Sequence, residues 1–555
     1  MSKKIMLVLF SVVLVFGTFT MAFAQNSKQA DQFTELPKQV DENQDKIFDN
    51  LAEKMDKATG AEKIPVIVML NTDFQSKKPE IEQKIGLFTK KFEYSAAYHG
   101  FAADLTKGQI IALQKMPFVK QIELDMPVEA FMDTASNWFG AAKARTDFGV
   151  NGDMDGNLTS YTNNDVVIAV IDTGIDATHV DLDGGKVIGW KDFVKGVTTP
   201  YDDNGHGTHV SSITAGSGDG NGNYKGVAYG AALVGIKVLD KRGSGSMSTV
   251  DAGIDWAIQN KDVYNIKVIN MSLGTSSSSD GSDSTSVAVN NAVANGITVA
   301  VAAGNSGPAK YTVGSPGAAA DAITVGAMAD VGEMGFNLAQ FSSRGPTADG
   351  RIKPDIAAPG YNITAAKADS TNGYVAYSGT SMATPFTAGV IALMIDAKPT
   401  ITPSSIKSTI TSTSLNWGPT GQDIDYGNGR LQAYDAIKSA GNFSGTGPTV
   451  PAHYYANGYL SGTADYDNWT LNVTSTSNPL AVTLVITNWA SSFPFGGSPD
   501  FDLYVFNPSG VLVGSAEGVE RQELVTFNPS TTGNYTIQVK SYSGSGDYFF
   551  DISSN

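Results

Sequence analysis

Five continuous apolar runs set the tightest limit on what this chain can fold into. They are VVIAVID (166–172), ALVGIKVL (232–239), IKVINMSL (266–273), ITVAVAAG (297–304) and AITVGAM (322–328). Each is short, rich in β-branched residues and apolar on successive positions, as a strand buried on both faces requires. Between them lie segments of helical periodicity such as STVDAGIDWAIQN (248–260) and SVAVNNAVANG (286–296). That alternation predicts an α/β fold with a parallel sheet and helices on both faces. Sheets of this kind carry their sites at strand C-terminal ends and helix starts, so chemistry is sought there.

GTSMATP (379–385) puts Ser381 at a turn opening the apolar helix pattern SMATPFTAGVIALMI (381–395). A serine there keeps its hydroxyl free, and its own N–H is among the unpaired donors of the helix start. Those donors and the helix dipole favour an oxyanion forming beside it. A hydroxyl nucleophile needs a base, and the chain has five histidines: His99, His179, His206, His209 and His453. Only His206 and His209, in NGHGTHVSS (204–212), sit in a Gly-rich turn running into a helix. VVIAVID ends in Asp172, and a carboxylate at the end of a parallel strand is placed to hold an imidazole in one tautomer. Singly, each motif has a plain explanation: a strand-end cap, a histidine pair lacking the Glu of HExxH, and a simple turn.

Together, DTGID (172–176), NGHGTHV and GTSMATP, in the chain order Asp, His, Ser, resemble the subtilase family of serine proteases. The resemblance implies Asp172 as orienting acid, His206 as general base and Ser381 as nucleophile, with His209 packed inside its helix. ITVAVAAGNSG (297–307) places Asn305 where subtilases have a side-chain amide facing the oxyanion, the second donor being the nucleophile's own N–H. KRGSGSMS (241–248), with Gly243, Ser244 and Gly245, resembles the edge segment that pairs with substrate backbone. The same resemblance assigns Ser272, Leu273, Gly274, Ala302, Ala303 and Gly304 as walls of the pocket for the residue before the scissile bond. Gly314 forms its base. These residues are small, and Ser306 stands where some subtilisins carry an acid, so a strict preference for Arg or Lys is not expected. Ser315–Pro316 is expected to be cis.

There is no cysteine. This removes thiol catalysis, Cys-ligated zinc and disulfides, and leaves an exported chain in need of another brace. Structural calcium fits that need. Residues 133–555 hold 38 acidic against 22 basic side chains, and 34 of the acids are the short Asp that suits turns and calcium loops. By resemblance, Asp181 in THVDLDGG (178–185) matches a calcium ligand of the strong subtilisin site. SGDGNGNYKG (217–226) offers Asp219 and Asn221, about one residue out of step with the family loop. DMDGN (153–157), with Asp153, Asp155 and Asn157, looks like half an EF-hand loop without its downstream Glu, and is either a calcium loop or a turn. Asp202-Asp203-Asn204 are either weak ligands or a solvated turn. Asp465, Asp467, Asp500 and Asp502 are either ligands or loop acids. A net charge of −17 argues against nucleic acid as a partner.

The N-terminus has the form of an export signal over residues 1–24: MSKK, the apolar IMLVLFSVVLVF, then Ala22-Phe23-Ala24. The apolar run is too short for a stable membrane anchor, so a secreted protein is expected. Within 25–132, strands are expected at EKIPVIVML (62–70), FEYSAAYHGFAADL (92–105) and VKQIELD (119–125). Helices are expected at KKPEIEQKIGLFTKK (77–91) and TKGQIIALQKM (106–116). YHGFAADLT resembles subtilase propeptides, which chaperone folding and then inhibit the enzyme. That implies a small α+β propeptide released by cleavage near Phe131 or Met132. A catalytic domain over 133–440 and a Gly/Ser/Pro linker over 441–452 lead to short alternating β runs over 453–555. These read as an all-β sandwich or jelly roll, where His453 stands without a nucleophile beside it.

The sequence thus reads as a secreted, calcium-stabilised, monomeric serine endopeptidase of broad specificity, acting on protein and peptide substrates and inhibited by its own propeptide. Two other readings compete. A dedicated processing peptidase of narrow specificity would show a charged, restrictive pocket. A non-catalytic surface binding protein would have lost one of the four catalytic positions.

Overall fold

The computed structural model describes residues 45–47, 49–94, 99–124, 133–489 and 498–554. The expected export signal and the expected cleavage point at Phe131 or Met132 lie outside these residues.

Seven parallel strands form the central sheet: β1 (Val167–Asp172), β2 (Val187–Asp192), β3 (Ala232–Lys237), β4 (Ile266–Met271), β5 (Thr298–Ala302), β6 (Ile323–Met328) and β7 (Ile356–Pro359), in the order β7-β6-β5-β4-β1-β3-β2. Every residue of β1, β3, β5 and β6 is buried. The period-2 geometry of a strand explains why these runs are apolar throughout. Ile168 and Val170 point into one apolar core, while Val167, Ala169 and Ile171 point into the other. The second core is covered by α2 (Met247–Gln259) and α3 (Ser284–Ala294), the first by α1 (His206–Ala215) and α4 (Thr380–Ala397).

Helix α4 is buried from Thr380 to Ile395 save for Ser381, which is half-buried. It lacks a polar face because it has neighbours all round: β4 to β7, α1 and the helix Ala433–Gly441. Among the described residues it is the helix long and apolar enough to cross a membrane, and its burial makes it a core element.

The N-terminal unit is a four-stranded antiparallel sheet with helices Phe74–Ile85 and Lys107–Gln114 against it. Thr106 and Gln109 form a reciprocal capping box at the second helix. FEYSAAYHGFAADL, expected as strand, is two elements. Lys90–Tyr94 and His99–Thr106 pair antiparallel, with Tyr94 opposite Gly100. A continuous apolar pattern cannot reveal a reversal of chain direction, which is why the sequence reads as one run.

The C-terminal region is a sandwich of two four-stranded antiparallel sheets around a shared apolar core. It is not loosely appended. Val485 and Phe549 belong to the same core cluster as α4. Arg521 of the sandwich makes a two-pronged pair with Asp425 of the α/β domain, and Arg344 lies 3.4 Å from the same carboxylate. All three side chains are buried. His453, which the sequence leaves without a role, bonds Asp551 at 2.6 Å and stacks on Trp417 at 4.1 Å. Burial alone would push the Asp425 carboxyl up, but the two guanidinium groups outweigh it and hold it below the usual carboxylate range. Asp425→Ala therefore leaves two buried cations without a counter-ion and is expected to cost about 3–5 kcal/mol of stability. Lys438→Ala, breaking the more exposed pair with Asp435, should cause no comparable loss. Denaturant unfolding of both in a Ser381→Ala background, which removes self-digestion, checks the contrast.

Candidate active site

The order of the sheet reverses between β1 and β4, so a crevice opens at their C-terminal ends. Asp172 is the last residue of β1, and Ser272 follows the last residue of β4. His206 is the first residue of α1, and its Nδ1–H donates to Asp172 Oδ1 at 2.7 Å. Two glycines permit this approach. A Cβ on Gly207 would lie 2.2 Å from the Gly174 carbonyl, and one on Gly174, at φ +124°, would lie 2.1 Å from the Tyr201 carbonyl. Asp202 is neither a weak ligand nor a solvated acid. It is buried and accepts from Thr173 Oγ1, from the N–H groups of Asn204, Gly205 and Thr208, and from Thr208 Oγ1. It thereby ties the end of β1 to the start of α1.

Asp172 is buried, and its Oδ2 has no hydrogen-bond partner. Burial disfavours the charged form of His206, but the Asp172 carboxylate outweighs it through charge and hydrogen bond, so the imidazole pKa is raised. With Nδ1–H committed to Asp172, Nε2 is the basic atom of the neutral ring. His209 is different. It is fully buried, bonds the Val375 carbonyl at 2.9 Å, and burial pushes its pKa down to about 3. It stays neutral and structural.

Ser381 occupies the second position of α4. Of the first-turn donors, the N–H of Thr380 goes to Asn305 Oδ1 at 2.9 Å and that of Met382 to the Gly379 carbonyl, which leaves the Ser381 N–H. A backbone N–H can only donate, so the atom of Asn305 facing Thr380 must be the oxygen, and Nδ2 is the group left for a ligand. Pro385 has no N–H to give the carbonyl of Ser381. Ser272 Oγ supplies the missing donor at 2.9 Å, while Ser381 Oγ donates to the Ser272 carbonyl at 3.1 Å. Ser272, expected as a pocket wall, also braces the serine through this exchange. Sequence reasoning missed that role, although Pro385 was its signal.

A cavity of about 490 Å³ runs from His206 past Gly243, Ser244 and Gly245 to Ser272, Leu273 and Gly274, with Ser315 and Pro316 on its wall. Arg242 and His206 are its ionisable lining residues. Ala302, Ala303, Gly304 and Gly314 do not line it. Ala302, Ala303 and Gly314 are buried, and the Gly304 N–H donates to Thr380 Oγ1 at 3.3 Å. The Ser315–Pro316 peptide is cis.

Asp153, Asp155 and Asp165 bring carboxylate oxygens within 4.8 Å of one another. Oxygens ligating one calcium at 2.3–2.6 Å can be no further apart than about 5 Å, so this hard, all-oxygen set fits the ion. Asp165, buried and raised in pKa by that burial, was missed because it lies one position beyond where an EF-hand places its Glu. Asn157 accepts from Thr159 in the same loop. Asp181 is buried, with its oxygens taken by the Gly220 N–H and the Tyr374 hydroxyl. Asp219 is exposed, and Asn221 caps a short 3-10 turn.

Three parts of the chain match known family profiles. Residues 163–429 match the profile of the subtilase family, residues 42–109 that of the Tk-SP N-propeptide domain, and residues 465–541 that of the bacterial pre-peptidase C-terminal domain. Subtilisin E of Bacillus subtilis (strain 168) is 34% identical over 441 residues, covering 79% of this chain and 100% of that protein. Serine protease AprX of the same organism is 38% identical over 341 residues, covering 58% of this chain and 74% of the relative. The thermostable alkaline protease of Halalkalibacterium halodurans is 37% identical over 331 residues, covering 60% and 81%.

Neutral His206 is the form able to accept a proton. With His206 acting as the base, its raised pKa should place the acid limb of kcat/KM above the ordinary imidazole value of about 6.5. Asp172→Asn should move that limb to lower pH and reduce kcat about 10⁴-fold, the size of effect known for triad carboxylates. Ser272→Ala should cost about 0.5–1.5 kcal/mol in stability by removing the donor to the Ser381 carbonyl. A pH–rate profile and thermal unfolding read the two effects.

Proposed function

The chain belongs to the subtilase family of serine proteases, and on that footing we propose that it is a secreted endopeptidase of broad specificity, autoprocessed from a proenzyme. The observation that carries the proposal is the convergence on one crevice of the 2.7 Å Asp172–His206 pair, Ser381 at a helix start and Asn305 fixed by Thr380. Ser381 Oγ exchanges its contact with the Ser272 carbonyl for His206 Nε2 when substrate enters, since such bonds tighten only in the complex. It attacks the scissile carbonyl while His206 takes its proton, and Asp172 holds the imidazole and stabilises its cation. Asn305 Nδ2 and the Ser381 N–H stabilise the oxyanion. His206 then protonates the leaving amine, and water hydrolyses the acyl-enzyme.

Substrate backbone pairs with Gly243–Gly245, which makes little demand on side-chain sequence. The absence of a carboxylate from the cleft lining supports broad acceptance at the acyl side. The Tk-SP N-propeptide match supports residues 25–132 as chaperone and inhibitor, and the first 24 residues support export. Asp153, Asp155 and Asp165 would hold calcium, which would neutralise their charge and brace their loop against the entry of β1. Asp181 with the loop of Asp219 and Asn221 is the second candidate.

The test compares wild type with Ser381→Ala. Wild type should trim itself to a product starting near Asp133 and digest casein, while the variant stays full length and inert. Full-length, inactive protein from both would sink the proposal. In the Ser381→Ala background, calcium at about 100 times its Kd should add about 2.7 kcal/mol of stability. Asp165→Asn should diminish that gain if the Asp153 loop holds the ion, and thermal unfolding with calcium or with EDTA measures it.

A further inference from the structure

A second cavity, of about 640 Å³, lies where the β-sandwich meets the α/β domain. Pro308, Phe341, Tyr361 and Glu333 line it from the α/β domain, and Glu520 and Leu524 from the sandwich. It shares no lining residue with the cleft that runs from His206 to Gly274. Two short tethers join it to the nucleophile. Gly307, two residues beyond Asn305, lines it and donates to the Phe341 carbonyl at 2.8 Å. Tyr361 follows Gly360, whose carbonyl accepts the N–H of Gly379 at 2.8 Å, two residues before Ser381. These links tie the second cavity to the backbone that carries Asn305 and Ser381, on residues that the first cleft does not share.

Its chemistry is specific. The rings of Phe341 and Tyr361 stack with centroids 6.2 Å apart, and Leu524 faces the same space. Glu333 Oε2 accepts from Asn362, but Oε1 is buried with no hydrogen-bond partner. Glu520, exposed, lines the same cavity from the sandwich. An apolar bed ending in carboxylates suits a long aliphatic stem with a cationic head. The buried Arg521 behind Pro308 is committed to Asp425 and does not oppose this.

We propose that this cavity is a subsite for the leaving side of the substrate, built jointly by the two domains, that takes a Lys or Arg side chain downstream of the scissile bond. The inference rests on the protease reading. It assigns the sandwich a part in specificity, and it separates a cation-seeking leaving side from an acyl side whose lining has no carboxylate. Burial pushes the Glu333 carboxyl up to about 7, a penalty that an incoming cation relieves.

Internally quenched peptides with one fixed acyl-side sequence, and Lys, Arg, Gln or Glu at each of the first few positions after the scissile bond, test it. A p-nitroanilide with the same acyl side presents nothing to the cavity and serves as reference. Wild type should favour Lys or Arg over Glu about fivefold or more in kcat/KM at one position. Glu333→Gln with Glu520→Gln should bring that ratio to within about twofold, and Glu520→Lys alone, an exposed change that does not threaten folding, should lower it. Equal rates in wild type, or a preference untouched by these variants, overturns the subsite while p-nitroanilide hydrolysis leaves the protease standing. Loss of p-nitroanilide hydrolysis from wild type overturns both.

Discussion

Burial of helix α4 on all sides is the constraint from which the rest of the site follows. A helix enclosed by four strands and two helices has one position and one orientation, so its first turn arrives at the crevice with Ser381 already placed. Of its first N–H groups, that of Thr380 then goes to Asn305 and that of Met382 to the Gly379 carbonyl, which leaves that of Ser381. Pro385 within the helix creates a carbonyl in need of a donor, and the Ser272 hydroxyl at the end of β4 meets it. Sheet, helix and Ser381 are thus joined by two hydrogen bonds that also fix the serine's position.

The polar interior is organised by the same logic. Asp202 satisfies five donors so that α1 can begin beside β1, and His206 gains its carboxylate partner from that closeness. At the sandwich, Asp425 stands between Arg521 and Arg344 in a place that water does not reach. Such a network adds little over an apolar interface of the same shape, but it is costly to break from one side. It therefore holds the sandwich in one orientation, and that orientation forms the cavity beside Tyr361.

Much of this was legible beforehand. The β1 run VVIAVID had to be a doubly buried strand, and the structure buries each residue from Val167 to Asp172. The apolar stretch after Ser381 had to be a core helix. Asp172, His206, Ser381 and Asn305 stand out through the family resemblance of their motifs taken together, since each motif alone has a plain structural explanation. Less was legible where a role depends on an unrelated segment. Asp165 joins Asp153 and Asp155 only through the path of an intervening loop. Ser272 acts on a carbonyl 109 residues away. Lys90–Tyr94 and His99–Thr106 are two paired antiparallel strands that a hydrophobic pattern reads as one.

Sequence by itself determined five of the seven strands of the central sheet and the helix that follows Ser381, because periodicity and helix-start motifs are local properties; the candidates for acyl-transfer chemistry came from the family resemblance of the motifs taken together. Tertiary structure decided how those side chains meet: the Asp172–His206 contact, the Ser272–Ser381 exchange, the pairing of His453 with Asp551, and the shared cavity of Glu333 and Glu520. The physical reason is that such contacts are set by how whole layers pack. A residue's partner across a crevice or an interface leaves no periodic trace in the chain around it.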